Sequence, residues 1–533
     1  MDYQLTLPTI LRRAEALFGH KEIVTVLPNK NIHRYTYRDF AKRTKRLSAA
    51  LHELGVSNGT RVATLSWNHY QHLEAYFAVP CMGAILHPLN LRLSPDDLGY
   101  IFNHAGDEII IVDQVLLPLF EKFKSSITVS KVIVIPQTGE PIPTRYLNYE
   151  DVVAGGIETK FEPFEGDENT AALMCYTSGT TGKPKGVLYS HRSIMLHAMA
   201  FILNCTGGSL AETDVVLPVV PMFHANAWGF PFSCTFVGAT QVFPGPHLDA
   251  ESLLKLFESE KVTLTAGVPT VLLNILHHLE ANPDKYKLFL RTIVNGGSAA
   301  PRFLIKFFDE RYGINVLHTW GMTEMSPLGS TCVMTSKMKT STKEEQYDRA
   351  MKQGMPVPFV EIRGTSESGI IPWNGIAMGE LEVRGPWICS SYYNDSDPQG
   401  KFTADGWFKT GDIVTIDEEG YLEIKDRNKD VVKSGGEWIS SVALENALME
   451  HHCVREAAVI AIPNEKWVER PFAYVVVKEG KEVSPEELNK FLAERFARFW
   501  IPDGYAFIDA IPKTAVGKFQ KAALRERYKN DLG

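Results

Sequence analysis

Helical and extended patterns of apolar residues alternate from the N-terminus to about residue 330. Apolar residues recur at helical spacing over residues 40–54, which predicts an amphipathic helix. Short runs of apolar and β-branched residues predict buried strands, at 61–66, 109–112, 132–135, 171–175, 187–189 and 262–266. This alternation favours an α/β fold with largely parallel sheets.

The pattern changes near residue 378. Alternating apolar and polar residues predict three further strands, at 380–384, 412–416 and 421–425. A polar cluster at 426–430 follows them, and the rest of the chain is long enough for one small domain. We therefore predict a large N-terminal domain of residues 1–428 and a small C-terminal domain of residues 429–533.

The C-terminal segment contains a well-marked helix signal. Ser484 can cap the helix, Pro485 suits its first position and Glu487 completes a capping box. Apolar residues would then form one face of the helix: Leu488, Phe491, Leu492, Phe496 and Phe499. Pro502 marks the predicted end. We expect this face to pack in a core rather than to contact a cofactor.

The composition is that of a soluble globular protein, with 44% hydrophobic and 22% charged residues. A chain of 533 residues is too long for one ordinary core, so two or more domains are expected. The formal net charge of −8 excludes a general basic surface for nucleic acid. Anionic ligands must therefore meet local clusters of positive charge.

The cysteines and the N-terminus predict a cytoplasmic protein. The 7 cysteines are widely spaced and form no Cys-x-x-Cys motif, which is typical of a reducing compartment. The first residues do not resemble a signal peptide. The apolar segment 75–86 is too short to span a bilayer and contains Pro80 and Gly83, so no integral membrane segment is expected. The oligomeric state stays open, with a homodimer among the options.

Residues 176–186 form the most informative segment of the chain. Apolar runs flank this segment, so it should join two strands of a sheet. Glycines let backbone N–H groups converge on an anion, while hydroxyls and lysines bind phosphate oxygens. The segment therefore predicts a polyphosphate site, formed by Thr177, Ser178, Gly179, Thr180, Thr181 and Lys185. The alternative is a surface hairpin that binds nothing.

The loop is not a Walker motif, because only two residues separate Gly179 from Gly182, and Pro184 follows Lys183. It resembles the phosphate loop of the adenylate-forming superfamily, which includes acyl-CoA synthetases, aryl-CoA ligases, luciferases and the adenylation domains of peptide synthetases. Landmarks in the family's order continue to Lys518, so the resemblance covers most of the chain.

This resemblance implies both an architecture and a set of ligands. The large domain would consist of stacked α/β sheets with a β-barrel-like part, and it would bind ATP and the acyl group. The small α+β C-terminal domain would be a mobile lid that rotates between two reaction steps. The protein would use ATP, Mg²⁺ and CoA.

Two segments match the family's nucleotide motifs. The Gly-rich segment 296–300 matches the adenine loop, with Gly297, Ser298 and Ala299. The second segment lines the nucleotide in the family, and its residues here are His318, Thr319, Trp320, Gly321, Met322 and Thr323. Trp320 would flank adenine, Thr323 would contact phosphate, and Glu324 would bind Mg²⁺, which prefers hard oxygen ligands. Taken alone, these segments could equally be an ordinary turn and a packed aromatic turn.

The ribose and hinge positions follow further along the chain. Asp412 matches the residue that binds the ribose hydroxyls, and Arg427 matches the second ribose contact. Asp426 stands where the family usually has glycine, which is a minor departure. Lys429 takes the position of the hinge. The next segment matches the loop that swings in to form the thiol tunnel, with Lys433, Gly435, Gly436, Glu437 and Trp438. A turn and a Gly-rich hairpin are the alternatives.

The resemblance implies catalytic roles for Lys518, His224 and Lys433. Lys518 matches the lysine that bridges the substrate carboxylate and the nucleotide phosphate during adenylation. His224 matches an aromatic residue or histidine beside the substrate carboxyl, and Lys433 belongs to the thiol-tunnel loop. Because the reaction joins two anions, catalysis must neutralise charge, and it needs no protein base.

Residues 221–229 resemble the family's acyl-pocket segment, in which Trp228 matches the gate of fatty acyl-CoA synthetases. The predicted substrate-binding residues are His224, Trp228, Gly297, Thr319 and Gly321. Thr319 stands where many relatives have glycine, so Thr319 and Trp228 together suggest a shallow apolar pocket. The alternative is a packed aromatic segment with a core histidine.

The leading hypothesis is an AMP-forming acid–thiol ligase for a short- or medium-chain acid, with 3-methylthiopropionate as a candidate. One alternative is a long-chain fatty acyl-CoA synthetase. Another is an adenylation enzyme that loads a carrier protein. Residues 221–229 contain no acidic side chain to hold an amino acid, and no carrier domain is expected after residue 533. A non-catalytic nucleotide-binding regulator should lack Glu324 or Lys518, and both are present.

Overall fold

The computed structural model describes residues 2–177, 183–204, 208–395, 400–434, 437–514 and 518–531. Its helices are α1 Pro8–Phe18, α2 Tyr37–Glu53, α3 Tyr70–Cys81, α4 Pro95–Ala105, α5 Leu117–Phe123, α6 Tyr149–Gly155, α7 His191–Asn204, α8 Phe230–Val237, α9 Ala250–Ser259, α10 Pro269–Ala281, α11 Arg302–Tyr312, α12 Lys343–Ala350, α13 Ser441–Glu450, α14 Pro485–Ala493 and α15 Lys521–Asp531. None of the described helices is long and apolar enough to cross a membrane.

The strands of the large domain are β1 Glu22–Val26, β2 Ile32–Thr36, β3 Arg61–Leu65, β4 Ile85–Pro88, β5 Ile109–Asp113, β6 Lys131–Ile135, β7 Leu147–Asn148, β8 Ala171–Tyr176, β9 Gly186–Ser190, β10 Val215–Pro218, β11 Thr240–Phe243, β12 Leu264–Gly267, β13 Thr292–Asn295, β14 Asn315–Gly321, β15 Leu328–Thr331, β16 Met355–Pro356, β17 Glu361–Ser366, β18 Gly369–Ile370, β19 Gly379–Arg384, β20 Phe408–Ile416 and β21 Leu422–Arg427. Those of the small domain are β22 Val432–Ser434, β23 Glu437–Ile439, β24 Val454–Asn464, β25 Val468–Val477 and β26 Gly504–Phe507.

The largest sheet holds nine strands in the order β16-β15-β14-β13-β12-β10-β11-β1-β2. The strands from β14 to β1 pair in parallel, and the pairs at the two edges are antiparallel. Every residue of β12 and β13 is buried, as expected for a parallel sheet covered on both faces. The carboxyl ends of β13 and β14 meet at one edge of this sheet, where ligands bind in open α/β folds.

A second sheet has the order β7-β6-β5-β3-β4-β8-β9 and is parallel except for the pair β8–β9. The predicted α/β fold with largely parallel sheets is therefore confirmed. The predicted strands in this sheet agree with the observed bounds to within one residue. The segment 176–186 joins β8 to β9, as its flanking apolar runs predicted.

Three observed elements begin two or more residues from the predicted start, and one of them is β20, which begins at Phe408 rather than at residue 412. Helix α2 starts before the predicted 40–54, because Thr36 accepts from the N–H of Asp39 (3.3 Å) and Asp39 accepts from the N–H of Thr36 (3.0 Å). This capping box fixes the first turn. Strand β12 starts at Leu264, two residues after the predicted start at residue 262. The N–H of Val262 donates instead to the carbonyl of Phe257 in α9 (2.9 Å).

A third, antiparallel sheet has the order β18-β17-β19-β20-β21. It contains the three strands predicted after residue 378. Within the described residues, the first and last strands of this sheet do not pair with each other. The part that was expected to be barrel-like is therefore an open sheet. The register places Asp412 of β20 opposite Arg427 of β21. Paired strands hold opposite side chains close together, so this register brings the two predicted ribose contacts to one place.

The small domain is α+β, as expected. Strands β23-β22-β25-β24 form its sheet, with β26 paired to β25, and α13, α14 and α15 belong to the same part of the chain. The boundary between residues 428 and 429 stays a prediction. Lys429 lies in a tight turn, in which the N–H groups of Asp430 and Val431 both donate to the carbonyl of Arg427, at 2.8 and 2.9 Å.

Helix α14 is shorter than its apolar pattern predicted. Ser484 accepts from the N–H of Glu487 (3.2 Å), so the predicted cap is present. The helix ends at Ala493, however, and the prediction that Phe496 and Phe499 lie on its face is wrong. The side chain of Arg470 donates to the carbonyl groups of Phe499 and of Ile501, which draws this segment against β25 instead of into the helix.

A buried polar cluster fastens α13 and α15 to the end of β21. The carboxylate of Asp426 accepts from the N–H of Ser441 (2.8 Å) and from its hydroxyl. Lys521 pairs with Glu445 (2.7 Å), and its ammonium group also donates to Ser441. The side chains of Lys521 and Glu445 are only 10% and 8% exposed. We call these four residues the lid anchor.

Charge holds the lid anchor in place. Burial alone would lower the pKa of Lys521, but the carboxylates of Glu445, Asp426 and Asp430 outweigh burial and raise it. The lysine is therefore charged at neutral pH. Burial raises the pKa of Glu445 to about 7, against the effect of Lys521, so Asp426 and Asp430 share with Glu445 the role of offsetting the buried charge.

Glu445→Gln should loosen the lid, because it leaves the buried Lys521 ammonium without its nearest counter-charge. We expect a loss of roughly 1–3 kcal/mol in the local stability of α13 and α15. Hydrogen–deuterium exchange of the amides of these helices measures this loss. Glu526→Gln, the same change at an exposed position of α15, is the matched control. Equal exchange rates in the two variants would show that Glu445 does not hold α13 and α15 in place.

Candidate active site

A cavity of about 1150 Å³ lies between the large and small domains. This volume slightly exceeds the roughly 300–1,000 Å³ that small-molecule sites occupy, so the cavity can hold a ligand of nucleotide size. Eighteen of the predicted site residues line it: Thr177, Lys185, His224, Trp228, Gly297, Ser298, Ala299, His318, Thr319, Trp320, Gly321, Met322, Thr323, Glu324, Asp412, Arg427, Lys429 and Lys518. Sequence motifs that are far apart along the chain therefore meet in one place.

The Gly-rich loop after β13 is shaped by Asn295. The side-chain amide of Asn295 donates to the carbonyl of Ser298 (3.3 Å), and the hydroxyl of Thr319 donates to the carbonyl of Asn295 (3.0 Å). Gly297 has a φ of +83°, and a Cβ at this position would lie 3.1 Å from a methyl group of Val268. The left-handed conformation therefore favours glycine at this position, and the space beside Val268 is tight for any larger residue.

Asp412 lies on the cavity wall with both carboxylate oxygens engaged. Oδ1 accepts from Arg427 Nε (2.8 Å), and Oδ2 accepts from Trp320 Nε1 (3.1 Å). Burial raises the pKa of Asp412, although Arg427, Trp320 and Lys518 favour the ionised form. Each oxygen has a second lone pair, so the carboxylate can still accept hydrogen bonds from the hydroxyls of a ligand.

Lys518 extends from the small domain into the cavity. A Cβ built on Gly297 would lie 3.5 Å from its Cε. Burial, and then the positive charge of Arg427, lower the pKa of Lys518 to about 8, while Asp412 and Glu324 oppose this shift. The ammonium form is therefore present at neutral pH and is lost as the pH rises through about 8.

Glu324 is buried and is held in position by Tyr392, whose hydroxyl donates to Oε1 (2.7 Å). The carbonyl of Glu324 accepts from the N–H of Cys389 (2.8 Å). Lys185 lies over the ring of Tyr392 (4.7 Å) and pairs with Asp395 (2.7 Å). One segment of the chain therefore positions both the predicted metal ligand and the last lysine of the predicted phosphate loop.

The base of that loop is closed by two hydrogen bonds. The N–H of Thr177 donates to the carbonyl of Lys185 (2.9 Å), and the N–H of Lys185 donates to the hydroxyl of Thr177 (3.1 Å). Lys183 lies over the ring of Tyr100 (4.8 Å), and both residues line the cavity. Some predicted residues lie outside those that the structure describes, namely Ser178, Gly179, Thr180, Thr181, Gly435 and Gly436.

The predicted acyl-pocket segment contains a left-handed turn. The residues from Ala225 to Trp228 have φ values between +37° and +59°, and Gly229 follows at +82°. Trp228 and Thr319 converge on Gly296, since a Cβ there would lie 2.7 Å from the indole of Trp228 and 2.9 Å from Oγ1 of Thr319. Apolar side chains continue the wall beyond Trp228, namely Phe201, Pro269, Leu273 and Leu328.

Two histidines of the site are neutral at neutral pH. Burial, and then the charges of Lys518 and Arg92, lower the pKa of His224 to about 3. Burial lowers the pKa of His318 to about 4, and its Nδ1 lies 3.0 Å from the carbonyl of Met351. His224 can therefore donate a hydrogen bond to an anion but supplies no positive charge.

The segment after β14 is tightly constrained. A Cβ on Gly321 would lie 2.1 Å from the carbonyl oxygen of Pro327, so only glycine fits there. The carbonyl of Thr323 accepts from the hydroxyl of Tyr189 (2.6 Å). These contacts fix the backbone on either side of Met322, which lines the cavity.

Among the predicted thiol-tunnel residues whose side chains the structure describes, Lys433 and Trp438 do not line the cavity. Lys433 is exposed on β22, and its N–H donates to Glu469 (2.8 Å). Trp438 pairs with Lys433 in the register of β22 and β23, and the backbone of Glu437 pairs with Ser434. Of the small domain's predicted site residues that the structure describes, Lys429 and Lys518 line the cavity, and Lys433 and Trp438 do not.

Sequence reasoning missed the residues that position the site. Tyr392 and Asp395 line the cavity and hold Glu324 and Lys185, but no motif marks them. Lys521 and Glu445 also line the cavity. The sequence did contain one signal for Lys521, which lies three residues after Lys518. Two lysines so close together in the closing segment indicate that only one of them faces the ligand and that the other has a structural role.

Comparisons with known proteins cover the whole chain. The family described as "AMP-binding enzyme" matches residues 11–393, and the "AMP-binding enzyme C-terminal domain" matches residues 443–518. The chain is 51% identical to a long-chain-fatty-acid–CoA ligase of Thermus thermophilus, over 100% of this chain and 97% of that protein. It is 41% identical to a 3-methylmercaptopropionyl-CoA ligase of Ruegeria lacuscaerulensis, over 100% of this chain and 99% of that protein.

A solved structure shows the same similarity. The crystal structure of the anthranilate CoA ligase AuaEII in complex with anthranoyl-AMP has a TM-score of 0.88 at 26% sequence identity. The match covers 99% of this chain and 98% of that chain.

The amine of Lys518 should titrate near pH 8, and Asp412→Asn should move this midpoint lower. The reason is that the Asp412 carboxylate stabilises the ammonium form. Competitive amine labelling across a pH series, read by mass spectrometry, measures the midpoint. The exposed Lys490 provides an internal reference for the reagent. An unchanged midpoint in Asp412→Asn would show that the two groups do not interact.

Proposed function

The chain belongs to the family of AMP-binding enzymes, and we propose that it is an AMP-forming acyl-CoA ligase. In the first step, a carboxylate oxygen attacks the α-phosphate of ATP, giving an acyl-adenylate and pyrophosphate. In the second step, the sulfur of CoA attacks the acyl carbonyl, AMP leaves and the thiol proton passes to solvent. The observation that carries this proposal is that Lys518 from the small domain meets Asp412 and Arg427 of the large domain in one cavity.

The first step joins two anions, so the cations on the cavity wall supply most of the catalysis. Lys518 would lie between the substrate carboxylate and the α-phosphate. Asp412 would accept hydrogen bonds from the ribose, held in place by Arg427 and by the indole N–H of Trp320. Binding both reactants in one cavity also removes much of the entropic cost of their encounter.

Glu324 fits a hard divalent cation such as Mg²⁺. Its buried carboxylate lies on the cavity wall, and Tyr392 fixes its orientation. Its charge acts on Lys518, which supports a position for Glu324 near the phosphates. When bound, Mg²⁺ would neutralise phosphate charge. Thr323, Thr177 and Lys185 also line the cavity, which supports a role for them in holding the same phosphates.

His224 has a supporting part in this mechanism. As a neutral imidazole, it can donate one hydrogen bond to the substrate carboxylate and orient it for attack. It cannot replace the charge of Lys518. The neutral state also avoids a second positive charge beside the Lys518 ammonium.

The second step requires a different lid position. In the described arrangement, Lys518 faces the cavity while Lys433 and Trp438 lie away from it. We propose that this arrangement serves adenylation. Rotation about Lys429 would withdraw Lys518 and bring in the loop that contains Lys433, Gly435, Gly436, Glu437 and Trp438 to enclose the CoA thiol.

We propose a short- or medium-chain acid as the substrate, with 3-methylthiopropionate as a candidate. The convergence of Trp228 and Thr319 on Gly296 supports a shallow pocket, and the name of the Ruegeria relative supports the candidate. The name of the Thermus relative favours the alternative, a long-chain acid. A cytoplasmic location and a homodimer stay predictions.

A panel of acids of different chain length tests the function directly. With ATP and Mg²⁺, acids that are substrates should give pyrophosphate, and thioester should form only when CoA is added. AMP, not ADP, should accumulate. Formation of ADP with any accepted acid, or pyrophosphate release that does not depend on the acid, would overturn the proposal.

Lys518→Ala should abolish adenylation and spare thioester formation from supplied acyl-adenylate. Losing one preorganised charge contact of this kind costs about 10²–10³-fold in rate. Pyrophosphate release and thiol consumption, measured separately, follow the two steps. Lys513→Ala is the matched control, because Lys513 lies in the same segment and pairs with Glu456 (2.6 Å) rather than facing the cavity. Near-normal adenylation by Lys518→Ala would exclude the assigned role.

Trp228→Ala should move the preferred acid towards longer chains. Each buried methylene contributes about 0.8 kcal/mol, roughly fourfold in affinity, until the pocket is full. In the unmutated protein, kcat/KM should therefore rise to a maximum at short or medium chains and then decline, because overpacking opposes binding. Trp373→Ala, at an indole that is 42% exposed, is the control. A preference of the unmutated protein for sixteen-carbon acids would establish the long-chain alternative.

A further inference from the structure

A second cluster of ligating side chains lies in the small domain, where the chain turns from α13 into β24. Three consecutive residues form it: His451, His452 and Cys453. One potential ligand atom from each residue lies within 4.8 Å of the others. His451 and Cys453 are buried, and His452 is exposed. None of the three lines the cavity described above, so this cluster does not depend on the proposed function.

The hydrogen bonds of His451 fix its ring in a form that can bind a metal. The N–H of Cys453 donates to Nδ1 (3.4 Å), so Nδ1 is unprotonated, and a metal ion bound there would replace this long hydrogen bond. The other nitrogen, Nε2, lies 3.4 Å from a carboxylate oxygen of Glu487. Histidines that bind metals commonly have this arrangement, in which one nitrogen faces the metal and the other donates to a carboxylate.

Packing holds two of the three groups still and leaves the third adjustable. The ring of His451 packs edge-on against Phe491, with the centroids 5.0 Å apart. The N–H of Val454 donates to the carbonyl of His451 (2.9 Å), which closes the turn around Cys453. The ring of His452 lies 4.5 Å from that of His451 and is exposed, so it can rotate without disturbing a core.

The distances are compatible with one bound ion. Zinc binds nitrogen at about 2.0–2.1 Å and sulfur at about 2.3 Å, so tetrahedral ligand atoms lie roughly 3.3–3.8 Å apart. The ligand atoms, which lie within 4.8 Å of one another, must therefore approach by about 1 Å to bind one ion. Rotation of the exposed His452 imidazole can supply this movement.

We propose that His451, His452 and Cys453 bind one zinc-like divalent transition-metal ion, with Glu487 supporting His451 and water completing the coordination. Two imidazoles and a thiolate suit zinc and its neighbours, whereas Mg²⁺ and Ca²⁺ prefer oxygen ligands. On binding, the thiol proton of Cys453 passes to solvent and a sulfur–metal bond forms. This site is therefore distinct in chemistry from the carboxylate of Glu324.

Zn²⁺ titration of the full chain against a chromogenic chelator tests the proposal. The unmutated protein should bind one equivalent that His452→Ala and Cys453→Ser each weaken by at least about tenfold. Glu487→Gln should weaken binding by about 10–100-fold, the usual effect of removing a carboxylate behind a metal-binding histidine. The matched control is His277→Ala, because His277 is also exposed and lies 3.3 Å from a glutamate, Glu280.

Co²⁺ provides an independent readout of the sulfur ligand. The Co²⁺-loaded protein should show thiolate-to-metal charge-transfer absorption, and Cys453→Ser should lose it while His277→Ala retains it. If Cys453→Ser fails to fold, Zn²⁺ binding by His452→Ala still tests the site. The His452 side chain is exposed, so its removal should not disturb folding. Zn²⁺ binding of equal strength in the unmutated protein and in His452→Ala, or absence of the thiolate band, would overturn the site.

Discussion

The carboxyl group of Asp412 is the constraint on which the cavity depends. It lies between Arg427 and the indole of Trp320, and its charge acts on Lys518. Without it, Arg427 and Lys518 would share a poorly solvated space with Glu324 as the remaining counter-charge of Lys518, and the repulsion between the two cations would act at a low effective dielectric constant. Its position follows from strand register, since β20 and β21 place Asp412 directly opposite Arg427. A backbone feature of the third sheet therefore sets the electrostatics of a site that lies between two domains.

The closing segment carries two lysines in opposite environments. Burial and Arg427 lower the pKa of Lys518, whereas the carboxylates around Lys521 outweigh burial and raise its pKa. Lys521 is held by Glu445 and by Ser441, and Ser441 in turn donates to Asp426, the residue next to Arg427 in the chain. The position of Lys518 is thus tied to β21 through a short chain of buried contacts. The lid rotation proposed above would break the contact between Ser441 and Asp426.

Sequence patterns predicted the secondary-structure elements and the residues that line the cavity. They did not predict the side chains that hold those residues in position. Buried strands such as β5 and β13 have short apolar runs, and Gly297 and Gly321 occupy positions where conformation or space excludes other residues. The contacts of Tyr392 with Glu324 and of Lys521 with Glu445 join residues that are distant in sequence, so no local pattern reveals them. Helix α14 ends early because Arg470, on another element, binds the carbonyls that follow it.

The left-handed turn from Ala225 to Gly229 has a consequence for the evolution of the acyl pocket. Left-handed backbone costs a non-glycine residue roughly 1–2 kcal/mol, and this turn contains four such residues in succession. Glycine substitutions at Ala225 or Ala227 would therefore relieve strain, yet they would also release the segment that fixes Trp228. Stability and the fixed position of Trp228 are therefore opposed in this segment. Under the proposed function, selection for a more robust protein would tend to produce a less selective one.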